Sequence, residues 1–292
     1  MGRYRAANGS NAMFKDLLIP QTGTPADADA LAMGIDLAYR LDAHIAVMEL
    51  VNLPVLSAGP WGLMPEVGLV DLYKTLREQG QRNVETLTSR LESETVSSEV
   101  RLVESLYEEP FHMAAHCAHY TDLSIVAGAG GESSDADRTH AYLGSLLIES
   151  GRPVLVVPQG CKVPMLPRRI LAAWKPTRET ARAFHDALPF LCNAESVDIV
   201  IVNPVGGDRG HGEQPGADIA THLSRHGVKV NVVVLPAERD DISVALLRHA
   251  GEMGADMIVA GGYGHSRFRE WALGGVTREL AMNAKLPMFF SH

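Results

Sequence analysis

The predicted fold follows from a repeated sequence, because the chain contains the opening of Ile258-Val259-Ala260-Gly261-Gly262-Tyr263-Gly264 twice. Ile125-Val126-Ala127-Gly128 repeats the first four residues, and an aspartate, Asp122 or Asp256, precedes each copy. A continuous apolar run is typical of a strand that is covered on both faces of a parallel sheet. The glycines that follow let the backbone adopt a positive φ and approach a ligand closely. The repeat therefore indicates two copies of one α/β unit.

The same order of elements surrounds both copies of this stretch. In the first copy, apolar runs predict strands at residues 14–20, 44–52 and 98–104. In the second copy, the corresponding runs lie at 168–174, 197–203 and 229–235. The first helices are predicted at 25–41 and 177–191. We therefore predict two tandem, doubly wound parallel five-stranded sheets, with the winding of flavodoxin.

The two copies differ in length, and this difference sets the domain boundaries. We predict a first domain at 13–159, a linker with two prolines at 160–167 and a second domain at 168–292. Ser10-Asn11-Ala12 before Met13 is typical of a cloning remnant, so residues 1–12 are left out of the fold. The first copy is longer because of an irregular excursion at 53–73. Its large apolar residues predict a local cover of the core, with a lid, a dimer contact or a hydrophobic ligand wall as alternatives: Trp61, Met64 and Leu69.

The charge balance excludes several classes of partner. The chain of 292 residues has a formal net charge of −9, which repels both phosphodiester backbones and anionic lipid. We therefore expect neither a nucleic-acid-binding protein nor a membrane-bound one. Its three cysteines, Cys117, Cys161 and Cys192, are odd in number and widely spaced. That pattern predicts reduced thiols in the cytoplasm rather than a disulfide framework or a zinc knuckle.

The loop after the repeated strand of the second copy has the character of an anion site. Gly261-Gly262-Tyr263-Gly264 is followed by nine residues and then by Gly274-Gly275-Val276-Thr277-Arg278. The second group of glycines is predicted to open a helix, whose free N–H groups bind anions. The residues between 265 and 278 carry a net positive charge in an acidic protein, from Arg267, Arg269, Arg278 and Glu270. This local reversal of charge favours a phosphate-bearing ligand.

The spacing Gly-x2-Gly-x9-Gly resembles the nucleotide loop of the universal stress protein family, and the order of elements in both halves is similar to that family's domain. The resemblance implies a tandem member with the winding of the adenine nucleotide alpha-hydrolases. It implies a stress-response regulator that binds ATP or another adenine nucleotide in its second copy. It implies that Gly261 and Gly264 border the phosphates and that Val202 or Asn203 touches the base. The remaining phosphate contacts that it implies come from Gly274, Gly275, Val276 and Thr277.

The second copy departs from the family pattern at two positions. Gly275 stands where the family has Ser or Thr, which leaves Thr277 as the nearest hydroxyl. Lys175 stands where nucleotide-binding members carry an aspartate at the end of the first strand. A lysine cannot accept hydrogen bonds from a ribose or an adenine, but it can pair with a phosphate. The alternative is therefore a binding or scaffold protein that needs no nucleotide, with another anion or small molecule in the cleft.

The first copy departs further, and we interpret it as degenerate, structural or serving another ligand. Gly128 and Gly131 keep the first spacing, but Ala141 stands where the glycine pair belongs. Gly144-Ser145 could replace that pair only with a longer loop and a shorter helix. Thr22 takes the place of the strand-end aspartate. The loop is net negative, which is unfavourable for phosphate, because of Glu132, Asp135, Asp137 and Arg138.

Three histidines in the first copy suggest a third hypothesis for the function, a metal-dependent enzyme. His112, His116 and His119 are spaced i, i+4, i+7, which places them on one stripe of a predicted helix. Such a stripe could bind zinc or nickel, but an exposed helix face is the preferred explanation, because an isolated stripe lacks an enclosing fourth ligand. The chain lacks the P-loop, Gly-x-Ser-x-Gly and His-Glu-x-x-His signatures. We therefore assign no catalytic residue, and any ATP hydrolysis is expected to be slow.

The resemblance also implies how the two copies associate. Members of the family pair through their last strands, so Val154–Val157 and Met288–Ser291 are expected to pair across a pseudo-twofold axis. That pairing makes the chain an internal dimer and covers edges that an isolated domain would expose. Further dimerisation of the whole chain is possible.

Overall fold

The computed structural model describes residues 14–54, 66–129, 133–161, 166–205, 214–238, 242–263 and 275–292. The elements of the first half are β1 (Asp16–Pro20), α1 (Asp27–Leu41), β2 (His44–Asn52), α2 (Glu66–Glu92), β3 (Ser97–Ser105), α3 (Pro110–Ala118), β4 (Leu123–Ala127), α4 (Ser133–Glu149) and β5 (Val154–Val157). Those of the second half are β6 (Arg169–Ala173), α5 (Arg178–Asp186), α6 (Leu188–Leu191), β7 (Ser196–Val202), α7 (Ala217–Arg225), β8 (Val230–Leu235), α8 (Ile242–Met253), β9 (Met257–Gly261), α9 (Gly275–Asn283) and β10 (Met288–Ser291).

The strands form one sheet in the order β3-β2-β1-β4-β5-β10-β9-β6-β7-β8. Within each half all neighbours are parallel, so the doubly wound α/β prediction is confirmed. The order within each half is 3-2-1-4-5, whereas flavodoxin has 2-1-3-4-5, so the comparison with flavodoxin winding is corrected. The winding reverses between β1 and β4 and between β6 and β9. Open α/β sheets bind ligands at such points, beyond the carboxyl ends of the strands.

The two half-sheets are joined by β5 and β10, which run antiparallel. Phe289 lies opposite Leu155 in this pair, so the expected pairing of the last strands is present. Phe289 is fully buried, and its ring centroid lies 6.3 Å from that of Phe14 in the first half and 5.9 Å from that of Phe190 in the second. The join is therefore both a strand pair and a shared aromatic core.

The helices cover the sheet on both faces, which explains why the central strands are apolar throughout. All five residues of β4 are buried, as are the first four of β9. One face packs against α1, α5, α6 and α7, and the other packs against α3, α4, α8 and α9. The single helix predicted at 177–191 is two helices, because Pro189 has no N–H with which to continue the helical ladder and stands in the first turn of α6.

Two expectations from the composition, one on membrane helices and one on the state of the cysteines, can be compared with the described residues. Across the helices that the structure describes, none combines the length and the apolar character needed to cross a membrane. The three cysteines, all partly buried, form no disulfide. Burial raises the pKa of the Cys117 thiol and, together with the charge of Asp29, that of Cys161, which disfavours the reactive thiolate.

Candidate functional site

The candidate site of the second half lies where β6 and β9 end on the same edge of the sheet. Gly261, the last residue of β9, lies directly against the start of α5. A Cβ atom on residue 261 would lie 2.7 Å from the backbone nitrogen of Thr180 and 2.9 Å from the carbonyl carbon of Glu179. The close approach of α5 to β9 therefore requires a glycine here, whether or not a ligand is bound.

The corresponding glycine of the first half has the same kind of explanation. A Cβ atom on Gly128 would lie 2.8 Å from both the Cα atom of Pro158 and the carbonyl oxygen of Val157. Both motif glycines at the strand ends thus have a packing reason that the sequence alone did not reveal. Their recurrence is a weaker sign of phosphate contact than the spacing implies.

Helix α9 begins at Gly275, which confirms the predicted helix opening. Val276 is half-buried and Thr277 is buried, and the Thr277 hydroxyl oxygen accepts a hydrogen bond of 3.4 Å from the backbone N–H of Tyr263. This contact places the start of α9 beside the exit of β9. Gly264 and Gly274, the other glycines implied to contact phosphate, lie outside the described residues.

Tyr263 is a residue that the sequence analysis missed. It has a positive φ of 51°, and only 8% of it is exposed. Its hydroxyl has no hydrogen-bond partner among the described residues, and burial raises its pKa well above the ordinary value. It therefore stays protonated and can donate a hydrogen bond to a ligand oxygen. A tyrosine within a glycine-rich loop was the available signal, because such a side chain must be buried or reach a ligand.

Two exposed cations lie at this edge, beside the buried carboxylate of Glu179 in the first turn of α5. Lys175, two residues beyond the end of β6, is exposed, and so is Arg278 in the first turn of α9. The first turn of α9 has no acidic residue. The free N–H groups of a helix start carry a partial positive charge, so these side chains add to the same field.

The residues expected to touch the base of a nucleotide are less favourably placed for ligand contact than the helix starts. Val202, the last residue of β7, is half-buried. Asn203, which follows it, has a positive φ of 49°, and its Oδ1 accepts a hydrogen bond of 2.9 Å from the N–H of Ala237. Its Nδ2 donates back to the carbonyl of Ala237, so the amide holds the exit of β8 rather than facing a ligand.

Comparison with known proteins assigns the second half. The model of the universal stress protein family matches residues 168–291. The second half of the chain belongs to the universal stress protein family. No curated protein matches the sequence of the chain.

The universal stress protein fold extends over both halves. The crystal structure of a universal stress protein from Archaeoglobus fulgidus DSM 4304 matches with a TM-score of 0.72 and 16% identity, over 94% of this chain and 95% of that one. A functionally unknown protein from Pseudomonas aeruginosa PAO1 matches with a TM-score of 0.55 and 14% identity, over 95% and 92% of the two chains. At these identities the likeness shows the fold, and it covers the tandem arrangement.

The first half of the chain contains a cavity of about 700 Å³ at the carboxyl ends of β1 and β2. Its wall includes Ala141 and Arg138 of α4. Helix α4 begins at Ser133, so Gly144 and Ser145 lie inside it. The suggestion that this pair replaces the missing glycines at the start of a shorter helix is therefore wrong.

Asp27, also in the cavity wall, organises the turn between β1 and α1. Its carboxylate accepts hydrogen bonds from the backbone N–H groups of Thr22, Gly23 and Thr24, at 3.0, 2.8 and 3.2 Å. It also accepts one of 2.7 Å from the Thr22 hydroxyl, the side chain that stands in place of the family's aspartate. Burial nevertheless raises the pKa of Asp27, because desolvation outweighs these bonds.

Glu49, in the second half of β2, gives a pH-dependent prediction. Burial and the charge of Asp27 raise its pKa, although Asn83 donates a hydrogen bond of 2.7 Å to it. The ionised wild type is therefore penalised above the raised pKa and free of the penalty below the unfolded value. Glu49→Gln should melt about 1–2 °C above the wild type near pH 7.5, and the difference should vanish as the pH falls towards 4.

Thermal unfolding followed by circular dichroism across this pH range measures the effect. Glu85→Gln, at an exposed carboxylate of α2, is the control and should show a small difference that stays flat with pH. A Glu49→Gln advantage that grows on acidification would contradict the direction of the pKa shift.

The histidine stripe ties α3 to α4. His112 Nδ1 lies 2.8 and 2.9 Å from the two carboxylate oxygens of Glu149, and His119 Nε2 lies 2.9 Å from the Glu149 carbonyl oxygen. His116 Nε2 lies 3.8 Å from a carboxylate oxygen of Glu108. Within the described part of the chain, no three side chains of His, Cys, Asp or Glu are grouped to hold a metal ion. The contacts of the stripe therefore favour a structural role over the metal site considered from the sequence.

Proposed function

We propose that this universal stress protein binds a phosphate-bearing ligand, ATP or another adenine nucleotide, at the carboxyl edge of its second half. One observation carries the proposal: two helices begin beside the exit of β9. Thr180, in the first turn of α5, lies against Gly261, and Thr277, in the first turn of α9, accepts a hydrogen bond from Tyr263. The N–H of Thr180 already donates to the Thr177 hydroxyl, so the start of α9 supplies the free N–H groups that suit an anion.

The side chains around this point support an anion. Lys175 and Arg278 are exposed cations at the edge, and the Tyr263 hydroxyl is a donor without a partner among the described residues. A ligand oxygen would relieve the cost of burying that hydroxyl unpaired. We further propose that the protein is a cytoplasmic stress-response regulator that senses this ligand, with at most slow hydrolysis, and that it is able to dimerise.

A second candidate, an anion without a nucleoside, is favoured by two observations. Lys175 cannot accept the hydrogen bonds of a ribose, and the Asn203 amide is engaged by Ala237. Comparison of ATP, AMP and inorganic phosphate in one titration series separates the two candidates. Equal affinity for phosphate and ATP would favour the anion site.

Gly275→Asp tests the proposal by placing a negative charge at the start of α9. A Cβ atom at residue 275 has room, because its nearest neighbour is Glu279 Oε1 at 3.8 Å. A carboxylate at a helix start stabilises the helix by about 0.3–1 kcal/mol but repels a phosphate. We expect at least about tenfold weaker ATP binding in calorimetry, with little net change in thermal stability, because repulsion from Glu279 opposes the gain at the helix start. In the wild type, ATP at a hundredfold its Kd should add about 2.7 kcal/mol to the free energy of unfolding.

Gly275→Asn is the matched control, because asparagine has nearly the same size and no charge. It should keep most of the affinity. Equal loss in both variants would mean that the residue matters by shape and not through an anion. If none of ATP, ADP, AMP and phosphate binds the wild type, the proposed function is wrong.

A further inference from the structure

We propose that the cavity of the first half is a separate ligand site that takes a small organic cation, not a phosphate compound. This goes beyond the proposed function, because it concerns the other half and a ligand of opposite charge. The cavity of about 700 Å³ is within the size range of small-molecule sites, about 300–1,000 Å³. It lies beyond the carboxyl ends of β1 and β2, where open α/β sheets bind ligands.

The ionisable groups of the cavity wall are mostly acidic. Four carboxylates line it, belonging to Asp27, Glu49, Glu109 and Asp137. Arg138 is the single Lys or Arg among the described lining residues, and its Nη1 donates a hydrogen bond of 3.0 Å to the carbonyl of Gly23. The charge of the wall is therefore negative, which excludes a phosphate and attracts a cation.

The electrostatic effect of these carboxylates converges inside the cavity. The pKa of Tyr142 is raised well above its ordinary value, first by burial and then by the negative charges of Asp27, Glu49 and Glu109. The phenol itself lies in the cavity wall and donates a hydrogen bond of 3.4 Å to the carbonyl of Gln21. The electrostatic potentials of these three carboxylates therefore add at the Tyr142 hydroxyl. A bound cation would lower that potential.

The rest of the wall suits an organic cation better than a metal ion. Phe111 and Tyr142 meet edge to face with ring centroids 6.3 Å apart, and Leu50 and Leu87 add apolar surface. Aromatic faces beside carboxylates are the surroundings that bind ammonium groups. The Asp27 oxygens are already engaged by four donors, which leaves little capacity for metal coordination.

The cavity wall contains a polar atom that has no hydrogen-bond partner among the described residues. Nε2 of Gln21 is shielded from solvent and has no hydrogen-bond partner in the described part of the chain. A buried amide donor without a partner costs free energy, and a ligand oxygen would satisfy it. Choline is therefore a suitable first probe, because it carries both a quaternary ammonium group and a hydroxyl.

The experiment is calorimetric titration of the full chain with choline, agmatine and spermidine at about 0.15 M salt. We expect saturable binding of at least one of them, with one site per chain. Glu49→Gln should weaken it at least about tenfold. Glu85→Gln removes the same charge from an exposed position of α2 outside the cavity and should change the affinity less than about twofold. Gly275→Asp should leave the binding of the cation unchanged.

A second variant removes the space instead of the charge. Ala141, half-buried on α4, lines the cavity, and leucine is a good helix former that would project into it. Ala141→Leu should keep the fold and the ATP response of the wild type and lose the binding of the cation. The proposal is overturned if no probe binds, if Glu49→Gln and Glu85→Gln weaken binding equally, or if phosphate or Mn²⁺ displaces the bound amine.

Discussion

Replacing Phe289 with alanine should lower the free energy of unfolding by about 3–5 kcal/mol. The side chain is fully buried in β10, opposite Leu155 of β5. Its ring meets Phe14 of the first half and Phe190 of the second, so the cavity left by alanine would open in the core that the halves share. Urea unfolding followed by far-UV and near-UV circular dichroism measures the loss.

The same experiment reports on the coupling of the two halves. Since Phe289 packs on both halves, the variant should separate one cooperative transition into two. Tyr107→Ala is the control, because Tyr107 is 90% exposed and its truncation should change stability by less than about 0.5 kcal/mol. A loss below about 1 kcal/mol for Phe289→Ala would show that the interface between the halves is not packed as described.

Gly261→Ala should lower the free energy of unfolding by about 1–3 kcal/mol, and more if α5 cannot shift. The new methyl group would lie 2.7 Å from the backbone nitrogen of Thr180, an atom that cannot rotate away. Gly251→Ala in α8 is the matched control, because a Cβ there meets nothing within 4 Å. It should stabilise the protein by up to about 1 kcal/mol, as alanine does in a helix.

Gly128→Ala extends this test to the half whose loop departs from the phosphate motif. Its Cβ would lie 2.8 Å from the Cα atom of Pro158, so a loss of similar size is expected. Thermal unfolding with and without ATP separates the two roles of these glycines. If Gly261→Ala keeps its stability and loses only the response to ATP, the glycine serves the ligand and not the packing of α5.

Local sequence patterns predicted the fold well, because apolar runs report directly on buried strands. The strand at His44–Asn52 and the start of α9 agree with the expectations from these patterns. The pairing of β5 with β10 agrees with what the family resemblance implied. Helix α4 is different: Gly144 suggested a helix start, yet a whole face of this helix packs into the core through Leu143, Leu146 and Leu147. Tertiary packing overrides the weak preference of one glycine.

The cavity of the first half could not be predicted in the same way. Its wall combines side chains from turns and helices far apart in the sequence, among them Gln21, Glu49, Asn83 and Tyr142. Their proximity follows from the strand order and not from any local spacing. The negative loop and the missing glycines predict that this half does not bind phosphate, but they carried no information about the space or the aromatic groups.

The antiparallel join of β5 and β10 also fixes the directions from which the molecule is approached. All strands of one half run opposite to all strands of the other, so the carboxyl edges of the two half-sheets open on opposite rims of the continuous sheet. The acidic cavity faces one rim and the basic helix starts face the other. If both proposed ligands bind, each would enter from its own side, with neither entrance blocking the other.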